Sequence, residues 1–539
     1  METTQLPDRP QQPLHDYLRT HARERGDHAA CIWYGHMMSY DELDAASDAF
    51  AARLQAIGVK KGDPVVLFLN NCPQYLAAHF GIQKIGAIVC PSGPLNKEHE
   101  LAYQVGDLKA RVIVAASSLL PVVDKVRPVS ALEHVFVVHY ADLLPDTDKV
   151  TLDLPADLAA AQREPRSVPA GCEDFHAVMQ SGARPSPVAL SMDDVALMTY
   201  TSGTTGLPKG AMLSYGNALF KTRAAADCNG VAASDVLLSI APLYHIAGML
   251  MGVNVPVLTG ATSVLLHRFE PRAVLQAIER YRVSWWYSIA PMNVACMQVA
   301  DIARFDLSSL RMNPVTSFGI TFTEPLAAQW RGFANNCTSF EAAYGLSETH
   351  TCDTYTPHRA PRWGTQGVAV PGVAIRIVDA DTGEDKPVGE VGEIVLTSPG
   401  TFKGYWNKPE ATAATLRKGW VHTGDMGKLD ADGYLTFIGR FKEMIKVSGY
   451  SVFPEEVETI LIKHPDVAQA AVVAQPDAEK GEVVKAFVVK KPGAAVDADA
   501  LIAWSRENMA SYKAPRAVRF IDALPTTGAG KVLRRLLKD

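Results

Sequence analysis

An α/β fold in two unequal domains is what the order of residues predicts. A large N-terminal domain of βαβ-type sheets carries a β-rich subdomain, and a small α+β domain follows. Three observations carry this expectation. Short apolar runs alternate with helical stretches over the first two thirds of the chain. Gly- and Asp-punctuated alternating segments replace them after about residue 365. From Arg440 the balance of charge changes sign, +3 over residues 440–539 against −9 for the rest. The expected boundary therefore falls between 439 and 440.

In order along the chain, Val65–Phe68 follows the turn signal Lys61-Gly62-Asp63 and reads as a strand. Tyr75–Phe80 reads as part of a helix, and Ile88–Cys90, Arg111–Ala115 and Val135–Val138 as further strands. Such continuous apolar runs fit parallel strands buried on both faces. Residues 143–190, rich in Asp and Pro, read as a surface excursion. Ala374–Val378, Gly392–Leu396 and Gly433–Phe437 alternate and are bounded by turn residues, which predicts an antiparallel sheet. The small domain is expected to run helix (455–463), strand (467–473), strand (483–489) and helix (497–508).

Composition excludes several classes. With 47% hydrophobic and 20% charged residues, the 539-residue chain can bury a large core, which excludes disorder as its main state. A net charge of −6 makes nucleic acid a poor partner. No two of the eight cysteines are closer than 15 positions, so metal and redox spacings are absent. No apolar run is long enough for a membrane span, and Met1–Asp16 lacks the layout of a signal peptide. Reduced thiols and these absences lead to the expectation of a cytoplasmic protein.

The strongest local feature is Tyr200-Thr201-Ser202-Gly203-Thr204-Thr205-Gly206-Leu207-Pro208-Lys209-Gly210. It leaves the apolar run Val195–Met198. Its glycines free backbone N–H groups to form an anion nest, its hydroxyls add donors and Lys209 adds charge. This is chemistry for a polyphosphate, although Gly210 after the lysine departs from the Walker pattern. In Tyr344-Gly345-Leu346-Ser347-Glu348-Thr349 an aromatic could stack a base, a carboxylate could hold Mg²⁺ and a hydroxyl could meet phosphate. Alone, the same string also reads as a capped helix start. Asp425 in Trp420–Asp425 could bind a ribose diol, or could be a turn aspartate. Lys531, in Pro525–Lys531, sits on a Gly-rich loop that by itself reads as solvated.

Together these strings resemble the adenylate-forming enzymes: acyl-CoA synthetases, adenylation domains of nonribosomal synthetases, and firefly luciferase. The resemblance runs from about Ser39 to the C-terminus. It implies that Thr201, Ser202, Gly203, Thr204, Thr205, Gly206 and Lys209 hold ATP phosphates. Tyr344 and Gly345 would meet adenine, Glu348 would ligate Mg²⁺ and Thr349 would contact the α-phosphate. Asp425 and Arg440, the latter in Gly439–Lys446, would hold the ribose. Lys531 would be the catalytic lysine bridging acyl carboxylate and α-phosphate, where a point cation suits the developing charge. Lys442 would be the hinge of a mobile C-terminal domain, and Ser448 and Gly449 would line the coenzyme A tunnel. His245, in Leu243–Gly248, would gate an acyl pocket also lined by Gly319 and Ala343. Gly404–Glu410 matches a further family string and reads as structural.

The implied reaction is an AMP-forming acid–thiol ligation with ATP and coenzyme A as co-substrates. No carrier domain follows Lys531, which favours coenzyme A over a carrier protein as acceptor. The resemblance also allows a homodimer. The acid itself is least legible. Ala342 stands where many members have Asn, Gln or Asp, and Ser317–Thr323 departs from the usual small-residue string. Phe318, Phe322, Trp285, Trp286 and Tyr287 either close the channel, favouring a short- to medium-chain monocarboxylate, or enter the core. Long-chain and aryl acids stay as alternatives. Arg311 lies just outside the pocket segments, which disfavours a dicarboxylate.

Overall fold

In a computed structural model, the described residues are 10–201, 207–318, 320–447, 450–477, 481–528 and 530–537. Two large sheets form the centre of the molecule. The first contains, in spatial order, Glu173–Asp174, His134–Val138, Val112–Ala116, Pro64–Phe68, Ile88–Pro91, Val195–Thr201 and Lys209–Ser214. It is parallel up to Val195–Thr201, which pairs antiparallel with Lys209–Ser214. The second contains Ser288–Ile289, Met312–Thr316, Trp285–Trp286, Val236–Ser239, Thr262–Leu265, Ala29–Trp33 and His36–Ser39, with Thr338–Glu341 added beside Met312–Thr316. All four strands expected in the first sheet occur within a residue of their expected ends.

One core cluster joins apolar side chains of both sheets, among them Leu67, Val89, Trp33 and Leu237. The helix Pro73–Lys84 is buried at every position. Its uniform burial explains why no polar face marks it. Asn71, three residues past the end of Pro64–Phe68, ties the sheets together. Its Nδ2 donates to the carbonyls of Ile240, Ala241 and Leu266 at 3.1–3.2 Å, and its Oδ1 accepts from Leu243 N–H at 2.9 Å. These bonds satisfy chain ends that would otherwise leave buried backbone groups unpaired.

The antiparallel sheet contains Ala374–Val378, Gly392–Thr397, Trp420–Leu429 and Leu416–Arg417, with Leu435–Arg440 beside Trp420–Leu429. Beyond Arg440, Tyr450–Val452, Ile445–Val447, Gly481–Lys490 and Val467–Asp477 form another sheet, with Ala517–Phe520 parallel to Gly481–Lys490. The helices Pro454–Leu461 and Ala498–Asn508 accompany it, and its apolar side chains form clusters of their own. Among the described residues no helix is long and apolar enough to cross a membrane, and the eight cysteines are free.

Candidate active site

Chemistry gathers where the parallel strands end, the place where open α/β sheets bind ligands. Thr201 closes Val195–Thr201 and Lys209 opens its partner; the two are paired in register. Ser202, Gly203, Thr204, Thr205 and Gly206 lie outside the described residues. Lys209 stands with its Nζ 4.8 Å from the ring centre of Tyr405.

Past the end of Thr338–Glu341, the segment 342–353 folds back on itself. Ser347–Thr349 form one 3₁₀ turn, and His350, Thr351 and Cys352 follow with φ of 58°, 56° and 51°. Three consecutive left-handed residues other than glycine are costly. The turn packs so tightly that a Cβ on Gly345 would stand 2.4 Å from the Cys352 nitrogen. Thr349 is fully buried and Glu348 half-buried.

Tyr344, Asp425 and Arg440 meet directly. The Tyr344 hydroxyl donates to Asp425 Oδ2 at 2.7 Å, and Arg440 Nε lies 3.0 Å from Oδ1. Asp425 and Arg440 are cross-strand partners, so backbone register sets their meeting. Gly424, with φ of 68°, turns the chain just before Asp425, and its N–H donates to Glu393 Oε1 at 3.1 Å. Burial pushes the Asp425 pKa up, with the Arg440 charge opposing. Asp425 Oδ1 accepts no hydrogen bond among the described residues, so acceptor capacity remains for a diol. One face of Tyr344 lies against Phe437, ring centres 6.0 Å apart.

Lys531 reaches the same place from the far end of the chain. Its loop closes on itself: Thr527 N–H donates to Lys531 O at 2.8 Å, Lys531 N–H to Thr527 Oγ1 at 3.1 Å, and Leu533 N–H to Pro525 O at 2.8 Å. The loop abuts the large domain so closely that a Cβ on Gly528 would stand 2.1 Å from the Tyr244 hydroxyl, and one on Gly530 2.7 Å from Ile289. Burial, then the charge of Arg440, draws the Lys531 pKa below the usual lysine value. Arg534, three residues on, lies 3.0 Å from Glu455 and 2.9 Å from Glu458, and also pairs with Glu443. Glu443 directly follows Lys442, which sits in the 3₁₀ turn Phe441–Glu443. Ser448 and Gly449 lie outside the described residues.

Glu348 fits a hard divalent cation. Its Oε1 accepts one hydrogen bond, from Tyr405 at 2.7 Å, and it makes no ion pair among the described residues. No group of three or more metal-ligating side chains occurs among the described residues. Mg²⁺ suits such a site, since it keeps waters and shares itself between one or two carboxylates and substrate phosphates. Tyr405 is the residue sequence reasoning passed over. Its segment docks along Lys209–Ser214 through Met212 N–H to Gly404 O and Trp406 N–H to Gly210 O, 3.0 and 2.8 Å. That docking sets the phenol between Lys209 and Glu348. The only hint in the sequence was Gly404–Glu410 itself, read as structural.

The residues expected on the acyl side are placed differently. His245 caps the helix Ile246–Met249, with Nδ1 accepting from Ala247 N–H at 3.4 Å. Burial, then the Lys531 charge, brings its pKa down to about 4, so the ring is neutral at neutral pH. Ala343 is half-buried, and Gly319 lies outside the described residues. Trp285 and Trp286 point into the core, 1% and 0% exposed, so they do not line a channel. Phe322 is buried against Trp363, whereas Phe318 is half-buried. Polar contacts join the same segments: the Tyr287 hydroxyl lies 3.0 Å from Thr316 Oγ1, and Glu341 accepts from both the N–H (3.1 Å) and the hydroxyl of Ser317. Burial pushes the Glu341 carboxyl up to about 7, against those hydrogen bonds. Arg311 is committed to Asp235, 2.5 Å away.

The chain also matches known proteins. Residues 18–406 match the AMP-binding enzyme family, and residues 456–531 match the AMP-binding enzyme C-terminal domain. The chain is 32% identical to a long-chain-fatty-acid–CoA ligase of Bacillus subtilis, over 98% of this chain and 95% of that one. It is 35% identical to a feruloyl-CoA synthase of Amycolatopsis, over 94% and 95%. It also resembles the crystal structure of the anthranilate CoA ligase AuaEII in complex with anthranoyl-AMP, with a TM-score of 0.85, 27% identity, and 99% and 98% of the two chains covered.

Proposed function

From a chain that belongs to the AMP-binding enzyme family and is an AMP-forming carboxylic acid–CoA ligase, we propose a two-step reaction on a compact monocarboxylate. A carboxylate oxygen of the acid attacks the α-phosphorus of ATP, the bond to the β-phosphate breaks, and pyrophosphate leaves. The sulfur of coenzyme A then attacks the acyl carbonyl, loses its proton to solvent, and AMP departs. The carrying observation is the convergence of Lys531, Arg440, Asp425 and Tyr344 from both sequence-distant ends of the site.

Asp425 and Arg440 hold the ribose, and Tyr344 offers a ring to adenine. Lys209 and the loop after Thr201 bind the phosphates, whereas Thr349, expected at the α-phosphate, is fully buried with its hydroxyl turned to Asp353. Lys531 meets the negative charge that grows between acid and α-phosphate, where a half-dehydrated cation is worth more than in water. Glu348 would hold Mg²⁺, which neutralises phosphate charge when bound. The Lys531 loop against Tyr244 and Ile289 suits the first step. Turning residues 440–539 about Lys442 would remove it and bring Ser448 and Gly449 forward for coenzyme A.

A single carboxylate is supported by the commitment of Arg311 to Asp235. A short- to medium-chain acid is supported by the Tyr287–Thr316 and Glu341–Ser317 contacts, polar groups that an alkyl tail gains little by packing against. An aryl acid is the second reading. It is favoured by the Phe322–Trp363 aromatic edge and by the relatives that act on feruloyl and anthranoyl groups. The test is pyrophosphate release from MgATP across short, branched, hydroxylated, aryl and long-chain acids, with and without coenzyme A. Turnover requiring coenzyme A, with short or medium chains ahead, is expected. Preference for long chains would overturn the compact pocket. A single burst indifferent to coenzyme A would point to a carrier protein as acceptor.

A further inference from the structure

The Lys531 loop is seated on the large domain through a contact that the chemistry of the site does not itself require. A Cβ on Gly528 would stand 2.1 Å from the Tyr244 hydroxyl, 3.4 Å from Tyr244 Cζ and 3.5 Å from Leu95 Cδ1. Gly528 differs in kind from Gly530. Gly530 has a φ of 83°, which by itself favours glycine, whereas Gly528 lies outside the left-handed region. Only the phenol denies position 528 a side chain. The phenol in turn is held in place. Leu243, just before it, donates its N–H to Asn71 Oδ1 at 2.9 Å and accepts the Tyr75 hydroxyl at 3.0 Å. His245, just after it, donates its N–H to Pro242 O at 3.0 Å. Gly248 packs against the same turn, where a Cβ would stand 2.1 Å from Pro242 O. One edge of the Tyr244 ring rests on Gly93, where a Cβ would be 3.4 Å from Cε2.

We infer that Tyr244 is a positioning residue for Lys531: its hydroxyl is the stop against which the loop seats, and glycine at 528 lets the lysine reach the nucleotide site. The inference rests on the reading of Lys531 as the cation of adenylation. With a side chain at 528, one partner has to give. The backbone around Tyr244 is fixed by hydrogen bonds on both sides, and a phenol withdraws its hydroxyl only by swinging the whole ring over Gly93. The hydrogen bonds of the loop close within it, from Thr527 to Lys531 and from Leu533 to Pro525, and Arg534 ties it to Glu443 and Glu458 of the small domain. Loop and small domain therefore retreat together, and Lys531 retreats with them. Widening 2.1 Å to an ordinary contact means a displacement of about 1 Å. A misplacement of that size costs a reacting group about a hundredfold. The second step does not feel the change, because the loop has then been turned away from Tyr244.

The experiment reads the two half-reactions of the full chain separately. One is pyrophosphate release at saturating MgATP with the fastest acid of the panel above. The other is acyl-CoA formation from the acyl-AMP of that acid and coenzyme A. Gly528→Ala is expected to lower adenylation kcat about a hundredfold and thioesterification by less than about twofold. In the Tyr244→Phe background the hydroxyl is gone and the nearest ring position, Cζ, is 3.4 Å from the new methyl. There Gly528→Ala is expected to cost less than about threefold. In the Lys531→Ala background it is expected to cost less than about twofold, since it acts through the lysine. Full adenylation by Gly528→Ala, an equal loss in both half-reactions, or an undiminished loss in either background would overturn the inference. Wild-type adenylation by Lys531→Ala would instead sink the reading of Lys531 on which it rests.

Discussion

On the nucleotide side of the cleft, Asp425 and Arg440 meet because they are cross-strand partners, and Gly424 turns the chain where that meeting requires it. On the acyl side, Glu341 and Ser317 meet through side chains at the ends of two adjacent strands, and Phe322 meets Trp363 across 41 positions of chain. The first kind of contact is written into short strings of sequence. The second depends on how separate segments pack. A site built from register keeps its geometry when neighbouring residues change, while a site built from packing changes shape with each of them. The same molecule can therefore share its nucleotide chemistry with relatives acting on fatty, feruloyl and anthranoyl groups and differ in the acid.

This contrast can be broken or sharpened by experiment, beginning with the largest effect. Lys531→Ala should lower adenylation about a thousandfold, as expected for loss of a cation facing developing charge. Thioesterification of supplied acyl-AMP should be largely intact. Equal loss of both half-reactions would make Lys531 a general element of the fold and not a part of one step.

Glu341→Gln tests the acyl side through stability. The folded carboxyl titrates near 7 against an ordinary 4.5, so the folded state binds the proton more tightly than the unfolded chain. Stability from this group is complete below about pH 4.5 and is lost as pH rises through 7. By pH 8 the loss should reach about 3 kcal/mol at most. The amide cannot ionise, so the difference in Tm between variant and wild type should move in the variant's favour between pH 5 and 8. A constant difference over that range would mean that Glu341 ionises freely.

Asp425→Ala removes an acceptor buried against Arg440 and Tyr344. ATP kcat/KM should fall by about 2 kcal/mol, roughly thirtyfold, the scale of one charge-assisted hydrogen bond. The ranking of acids should be unchanged. A changed ranking would show that the two halves of the cleft are coupled. The smallest effect belongs to Tyr405→Phe, which frees Glu348 of its hydrogen bond. The Mg²⁺ concentration for half-maximal pyrophosphate release should rise about tenfold, as when an outer partner of a metal ligand is lost. An unchanged Mg²⁺ requirement would separate Tyr405 from the metal.

Much of this was legible in the residues alone. The parallel strands, the antiparallel sheet and the helix–strand order beyond Arg440 follow from apolar periodicity and turn residues, because burial on one or two faces leaves a direct imprint on the pattern. Tyr344, Glu348, Thr349, Asp425, Arg440 and Lys531 were singled out by short strings that resemble a family; the structure brings Tyr344, Asp425 and Arg440 into contact and leaves Thr349 fully buried. Trp285 and Trp286 show the opposite case. An aromatic pair reads the same whether it faces a channel or the core, and here packing against Trp330 and the strand Met312–Thr316 chose the core.

What the sequence determined by itself is thus the fold class and the reaction class, since each shows in local pattern or in short family strings. Only the tertiary structure brought Tyr405 to Glu348 and Lys209, Arg534 to Glu443 and Glu458, and Lys221 to Asp353 beneath Thr349. Those partners lie 57 to 196, 76 to 91 and 132 positions apart in the chain. A side chain carries no local mark of a partner that distant; the pairing exists only once the backbone has been folded and the charges have been taken out of water together.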